Sequence, residues 1–290
     1  MISINAVSLV PDARDWLANS RHPRILHVFD HACNLINEHR EVLSIVTPQI
    51  GNGPFNLVID DDVLFSEYLN LPAKRLISVF PNQLNLGDLT INTDNAKLWS
   101  PRPDWEMLHA NTDEILNQLI SLPITTYQAR GLDMDFATSV QPYSTTTSPQ
   151  SLISALSTAN IPSSLTITQK LAGLGIGLTP AGDDFIIGAL LAAWIIHPLD
   201  VARVLAVEVT DVAAPLTTSL SAAWLKSTGK GEAGILWHQF FDALISANHA
   251  GVQEAMDKIL AVGETSGADA LAGFIGLFIG LGNLTSLKNN

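Results

Sequence analysis

The stretch "LAGLGIGLTPAGDDFIIGALLAAWII", residues 171–196, constrains this chain more than any other. Gly173, Gly175, Gly177 and Gly182 fall within ten residues, Asp183 and Asp184 follow, and a dozen uncharged residues come after them. A helix apolar on every side belongs inside a domain. Its start therefore brings two carboxylates to the edge of that interior. Thr179 ahead of Pro180 predicts the start, with threonine as cap and proline at the first helical position, where a missing N–H costs nothing. Both acids then sit in the first turn, where the helix dipole favours negative charge. That accounts for the acids without any function. It leaves the glycines unexplained, because they carry an entropic cost and precede the helix rather than follow it. Glycines in that place let backbone N–H groups approach an anion. The stretch is neither a Walker A loop, which needs Gly-Lys-Ser/Thr, nor a dinucleotide fingerprint, since Leu178 takes the sixth place of "GLGIGL".

The frame returns once. "GDDFIIGALLA" (182–192) and "GADALAGFIGL" (267–277) share Gly-x-Asp-x-x-x-Gly, and Thr265-Ser266 precedes the second as Thr179-Pro180 precedes the first. On helices, Asp184, Gly188 and Leu191 share one face, and Asp269, Gly273, Gly276 and Gly280 repeat it. Faces lined with glycine let two backbones approach. The two helices are therefore expected to pack together, with Asp184 and Asp269 converging on one pocket. Asp183 points about 100° away from Asp184 and has a different task.

Two textures divide the chain, and they predict an α+β protein. Up to residue 140, brief β-branched runs such as "EVLSIVTPQ", "FNLVIDDDVLF", "RLISVFPNQ" and "LGDLTINTDNAKLW" alternate with Gly, Pro and Asn turns. Residues 1–140 read as a β-rich domain, with helices expected at "HVFDHACNLINE" and "DWEMLHANTDEILNQLISL". The Ser/Thr/Pro-rich segment 141–150 suits a linker. From 151 to 290 the apolar runs lengthen and Ala and Leu dominate, which predicts an all-helical domain with glycine-rich helix N-termini and the ligand site.

Composition narrows the function classes. A hydrophobic fraction of 47% raises the question of a membrane. The run Phe185–Leu199 is broken by Pro198 and too short to span, and the run from Ala270 toward Lys288 is glycine-rich and starts just after Asp269. Buried helices explain both. A net charge of −13 repels nucleic acid and anionic lipid, so neither is an expected partner. Cys33 is the only cysteine, which excludes disulfide scaffolds and cysteine zinc sites. With no basic-then-apolar leader at the start, a cytoplasmic location is expected.

Other motifs read as structural. His27 and His31 stand at i, i+4 of the expected helix with no third ligand evident, so a plain histidine pair outweighs a metal site. Asp60-Asp61-Asp62 suits a solvated turn, Gly229-Lys230-Gly231-Glu232 a helix–helix turn, and the six tryptophans suit packing. No Gly-x-Ser-x-Gly elbow occurs.

"GLGIGLTPAGDDFIIGALLAA" together with "GETSGADALAGFIGL" resembles the family that includes the AllH-type subunit of oxamate carbamoyltransferase. Thr217, Thr218 and Ser221 match its Thr-Thr-x-x-Ser segment, Ser266, Gly267 and Asp269 its late Ser-Gly-x-Asp element, and "HVFDHACNLINE" and "GNGPFNLVID" fit its N-terminal half. Ala181 replaces a frequent serine and Ala268 a larger side chain. The resemblance implies anaerobic purine or allantoin catabolism, in which oxalurate and phosphate give oxamate and carbamoyl phosphate. It implies a multisubunit enzyme with an acyl-CoA-synthetase-like subunit and another companion. Asp184 and Asp269 would be catalytic. Gly175, Gly177, Thr179, Pro180, Gly182, Asp183, Thr218, Ser221, Thr265, Ser266 and Gly267 would bind a small anionic metabolite. Residues 151–290 hold few cations (Lys170, Arg203, Lys226, Lys230, Lys258 and Lys288), so binding would lean on backbone amides, with Lys226 the candidate to assist. No cofactor is evident, and magnesium stays open. Two other readings stay open as well: a non-catalytic subunit of such a complex, and a stand-alone binder of small anions.

Overall fold

The structure, a computed structural model, describes residues 2–69, 76–121, 128–129, 134–135 and 149–288. The chain divides into two compact units, Met1–Pro101 and Arg102–Asn290. The β-rich half and helical half are both present. The division falls earlier than the compositional boundary, so the helices over 105–121 belong to the helical unit. The expected linker lies almost wholly outside the described residues.

The first unit is a nine-stranded sheet that curls into a near-barrel. Its strands are β1 (Ile2–Leu9), β2 (Arg24–Val28), β3 (Ala32–Ile36), β4 (Val42–Val46), β5 (Asn56–Ile59), β6 (Ile77–Phe80), β7 (Gln83–Leu86), β8 (Leu89–Asn92) and β9 (Lys97–Leu98), with α1 (Pro11–Asn19) and α2 (Phe65–Tyr68) between them. β1 joins the two halves of the sheet: Ile2–Asn5 run parallel to β8, and Ala6–Leu9 pair antiparallel with β5 across a register shift between Ala6 and Ser8. Period-two alternation sends Cys33, Leu35, Leu43 and Ile45 into the core. Asn34 and Ser44 take the other face, where the Ser44 hydroxyl donates to Asn34 Oδ1 at 2.6 Å. α1 adds Ala13, Trp16 and Leu17 to the core.

One expectation is corrected here. "HVFDHACNLINE" is not a helix but the β2–β3 hairpin, closed by the Phe29 amide on the Ala32 carbonyl at 2.8 Å. Tertiary burial of alternate residues overrides local propensity. His27 pairs with Asn34 across the hairpin and His31 lies in its turn, so the i, i+4 relation lapses. No cluster of three potential metal ligands occurs among the described residues.

The second unit contains α3 (Trp105–Ala110), α4 (Thr112–Ser121), the short pair β10 (Gln128–Ala129) and β11 (Met134–Asp135), α5 (Pro149–Ser157), α6 (Ile161–Leu171), α7 (Ala181–Ile196), α8 (Leu199–Ala213), α9 (Ser219–Gly229), α10 (Ile235–Ile245), α11 (His249–Leu260) and α12 (Ser266–Lys288). α7 is buried from Ala181 to Ile195, as its uncharged sequence demands. Around it pack Trp105, Phe240, Phe241, Phe274 and Phe278, with the Trp105 and Trp194 rings stacked 5.7 Å apart. Both indoles are satisfied, Trp105 donating to the Gly231 carbonyl at 2.8 Å and Trp194 to that of Thr228 at 3.0 Å. No helix among the described residues is long and apolar enough to cross a membrane.

Candidate functional site at the mouths of two helices

α7 and α12 meet through their glycines. A methyl group on Gly188 would stand 1.7 Å from the Ala270 carbonyl oxygen, and one on Gly273 would stand 2.1 Å from that of Phe185. Both are impossible contacts with backbone, so each helix needs glycine where the other crosses it. The repeat's leading glycines are equally committed: a methyl on Gly182 would meet the Leu171 carbonyl at 2.0 Å, and one on Gly267 that of Ile259 at 1.7 Å. Each mouth is thus wedged against the end of the helix before it, α6 in one case and α11 in the other. Gly280, expected on the same face, meets Ile153 of α5 instead.

The helix starts one residue later than the Thr-Pro pair predicts. Pro180 is the cap residue and Ala181 the first helical one. The Pro180 carbonyl accepts from the Asp183 and Asp184 amides at 2.9 and 3.2 Å. Thr179 makes no cap because its hydroxyl is engaged elsewhere. It hydrogen-bonds the Ser266 hydroxyl at 2.8 Å, joining the α7 mouth to the first residue of α12.

The adjacent acids have different surroundings. Asp183 is fully buried and satisfied on both oxygens. Its Oδ1 accepts from the Gly173 amide at 2.8 Å, and its Oδ2 accepts from the Ser221 hydroxyl at 2.7 Å and from the Thr217 hydroxyl. The Thr218 hydroxyl donates to the Leu178 carbonyl and accepts from the Ser221 amide, capping α9. Thr217, Thr218 and Ser221 therefore tie the glycine loop to α9, with Asp183 as the knot.

Asp184 is 6% exposed and its Oδ2 has no hydrogen-bond partner among the described residues. Burial pushes its carboxyl up to about 8, and the negative charges of Asp269 and Asp183 push the same way; the Ser266 and Thr179 hydroxyls favour the charged form and oppose the shift. Among the described residues no lysine or arginine, Lys226 included, is a cause of the shift. Asp269 is fully buried in the first turn of α12, its amide on the Thr265 carbonyl at 2.9 Å. Two acids from two helices thus meet beside a bridging pair of hydroxyls. A carboxyl raised into this range has the proton affinity that general acid–base chemistry needs.

Between α6 and α7 the loop is exposed from Leu174 to Gly177, with positive φ at Gly173, Gly175 and Gly177. The N–H groups of Gly175 through Thr179 have no acceptor among the described residues. The α7 mouth therefore presents a run of free donors next to a carboxyl.

Two family models match the chain. One, described as oxamate carbamoyltransferase subunit AllH, matches residues 171–278. The other, the AllH family N-terminal domain, matches residues 5–98. The chain belongs to the AllH family. The boundaries are informative: the first match begins at Leu171, where α6 ends and the glycine loop begins, and ends at Phe278, within α12. It spans both helix mouths and the α9 segment that holds them. No solved structure matches the chain.

What sequence reasoning missed is the long-range wiring. The Thr179–Ser266 bond links residues 87 apart and the Ser221–Asp183 bond residues 38 apart. The shared threonine ahead of each repeat was the only local signal. α6 was missed too, although Asn160 followed by Pro162 marks its start, with the Asn160 side chain accepting from the Ser163 amide at 3.1 Å.

Proposed function

We propose that this chain is a subunit of a carbamoyltransferase that converts oxalurate and phosphate to oxamate and carbamoyl phosphate in anaerobic purine or allantoin catabolism, with its site at the α7 and α12 mouths. The carrying observation is Asp184, buried beside Asp269 and pushed up to about 8 with no cation among the described residues to offset the shift. The free N–H groups of Gly175 to Thr179 and the positive end of α7 hold the phosphate or carboxylate. A phosphate oxygen attacks the carbamoyl carbon of oxalurate, the bond from that carbon to the inner nitrogen breaks, and the departing oxamate nitrogen takes the Asp184 proton. In reverse, Asp184 accepts the proton from the attacking nitrogen. Asp269, its charge close by, holds the ureido N–H groups and sets the proton affinity of Asp184. Gly182, Gly267, Pro180, Thr265 and the Thr217–Ser221 segment place these groups without touching substrate.

In the complex reconstituted with its companion subunits, Asp184→Asn is expected to lower turnover about 100-fold, within the range of general acid–base catalysis. Full turnover would overturn the catalytic role. Carbamoyl phosphate, phosphate and oxamate, each with and without Mg²⁺, are expected to raise the melting temperature of the isolated chain. No shift with any of them would move the ligand site to another subunit. The reading of a non-catalytic subunit draws on Asp183, whose full set of donors explains one acid by packing alone. Loss of folding in both Asp184→Ala and Asp269→Ala would favour it.

A further inference from the structure

The end of α7 opposite the site is closed by two histidines. Pro198 prevents the helix from running on past Ile196, and the last turn of a helix leaves carbonyls without intrahelical partners. The Ile195 carbonyl is met from outside, by His109 Nδ1 of α3 at 2.7 Å and by the Thr112 hydroxyl of α4 at 3.0 Å. His197 turns the other way. Its amide caps α7 on the Ala193 carbonyl at 3.1 Å, and its ring Nε2 donates to the Leu156 carbonyl of α5 at 2.8 Å. A carbonyl only accepts, so each bonded ring nitrogen carries its hydrogen. Two imidazoles thus join the ends of three helices.

The surroundings suit neutral rings. His197 is only 9% exposed. Burial pushes its proton affinity below the ordinary 6.5 and the charge of His109 pushes the same way, while the Leu156 carbonyl opposes them. α5 carries no ionisable group. Glu106 on α3, Asp113 and Glu114 on α4, Lys170 on α6, and Asp200 and Arg203 on α8 are all exposed, and none is a cause of the shift. Among the described residues no carboxylate is placed to stabilise the imidazolium.

We infer that His109 and His197 form an acid-sensitive clasp: as neutral rings they tie α3 and α5 to the end of α7, and protonation of the pair releases that end. The other end of α7 is held separately, by the Gly188 and Gly273 crossing with α12 and by Asp183 on the glycine loop, so the opening is local. The unfolded chain binds the His197 proton more readily than the folded one. The stabilisation is therefore full above about pH 6.5 and is lost as pH falls below it, by up to about tenfold in the closed-to-open ratio per pH unit. Asp184 at the opposite end acts with the opposite sign. The clasp does not depend on what the site binds.

The test is hydrogen exchange of the full chain at about pH 7.5 and about pH 5.5, corrected for the intrinsic rate. The amides of His197 and Ala159, bonded to the Ala193 and Leu156 carbonyls, are expected to lose protection tenfold or more on acidification. Those of Gly188 to Leu191 in mid-helix are expected to keep theirs. His197→Gln retains a donor for Leu156 without titrating, and is expected to abolish the acid loss while matching the wild type at the higher pH. In NMR titrations of the wild-type chain His197 is expected to titrate below 6.5, and in His109→Asn, which removes the neighbouring charge, to titrate higher. Protection unchanged by pH would overturn the clasp, and so would a loss uniform along α7, which would be general unfolding. Titration of His197 at or above 6.5, or unmoved by His109→Asn, would overturn the coupling of the pair. If His197→Gln fails to fold, exchange and titration of the wild type still decide.

Discussion

The α7 and α12 mouths are two copies of one device with one difference between them. In each, a leading glycine wedges against the preceding helix, an acid follows two residues later, and a second glycine admits the partner helix. The approach to α12 is a short turn, whereas the approach to α7 is the glycine loop. That difference explains the extra acid. Position 183 is aspartate and its counterpart 268 is alanine, because only the longer loop needs a buried carboxylate to gather Gly173, Thr217 and Ser221. The repeated acids, Asp184 and Asp269, are what the two mouths keep in common. Position in the repeat thus separates the acid that fastens the loop from the pair that the two helices bring together.

The comparison breaks most easily at the crossing glycines. Gly188→Ala and Gly273→Ala are each expected to cost about 3 kcal/mol, since the added methyl meets backbone that can yield only by separating the helices. Chemical denaturation measures both. A large cost at one position and none at the other would show that the two copies are not equivalent in packing.

Asp183→Ala comes next, at about 2 kcal/mol. It strands the Gly173 amide and two hydroxyls, and the cost of leaving buried donors unmade outweighs the loss of one neutral bond. Increased proteolysis within 173–178 should accompany it. If this variant is as stable as the wild type, the carboxylate is not the fastening of the loop.

Asp184→Asn sharpens the contrast between neighbours. The folded chain holds the Asp184 proton up to about pH 8, while the unfolded chain releases it near its ordinary value of 3.8. Between these limits the folded state binds more protons, so stability falls as pH rises, by up to about 1.4 kcal/mol per pH unit. The contribution is full below about pH 4 and gone above about pH 8. Asparagine mimics the protonated acid, and the variant is expected to lose this slope and to exceed the wild type in stability at pH 8. An unchanged slope in denaturant titrations across that range would remove Asp184 as the titrating group.

The crossing of α7 and α12 was legible because glycine spacing at i, i+4 is a local record of a distant contact: no other residue fits. Fold class was legible for a similar reason, since strands and helices bury runs of different length. The hairpin over 24–36 was not, because its Phe29-Asp30-His31 turn lacks Gly or Pro and its apolar positions suit either period. The helices over 105–121 were seen as helices but grouped with the sheet, since nothing local tells which core a helix joins. Within the site, the repeat singled out Asp184 and Asp269 correctly as a meeting pair. The partners of Asp183 and Thr179 were invisible, because a hydroxyl's choice between a local cap and a side chain 87 residues away is made by tertiary geometry alone.

That choice yields the smallest effect and the finest test. Thr179→Val and Ser266→Ala each remove one end of the 2.8 Å bond between the mouths, and each is expected to cost about 1 kcal/mol. If the bond joins the two copies, the double variant costs less than the sum of the singles, by about 0.5 kcal/mol or more. Both hydroxyls also favour the ionised form of Asp184, Ser266 more than Thr179. Removing either therefore raises the proton affinity of Asp184, so the downward slope of stability extends to higher pH, further for Ser266→Ala than for Thr179→Val. Additive costs with an unmoved slope would leave the two mouths as neighbours in packing and separate in chemistry.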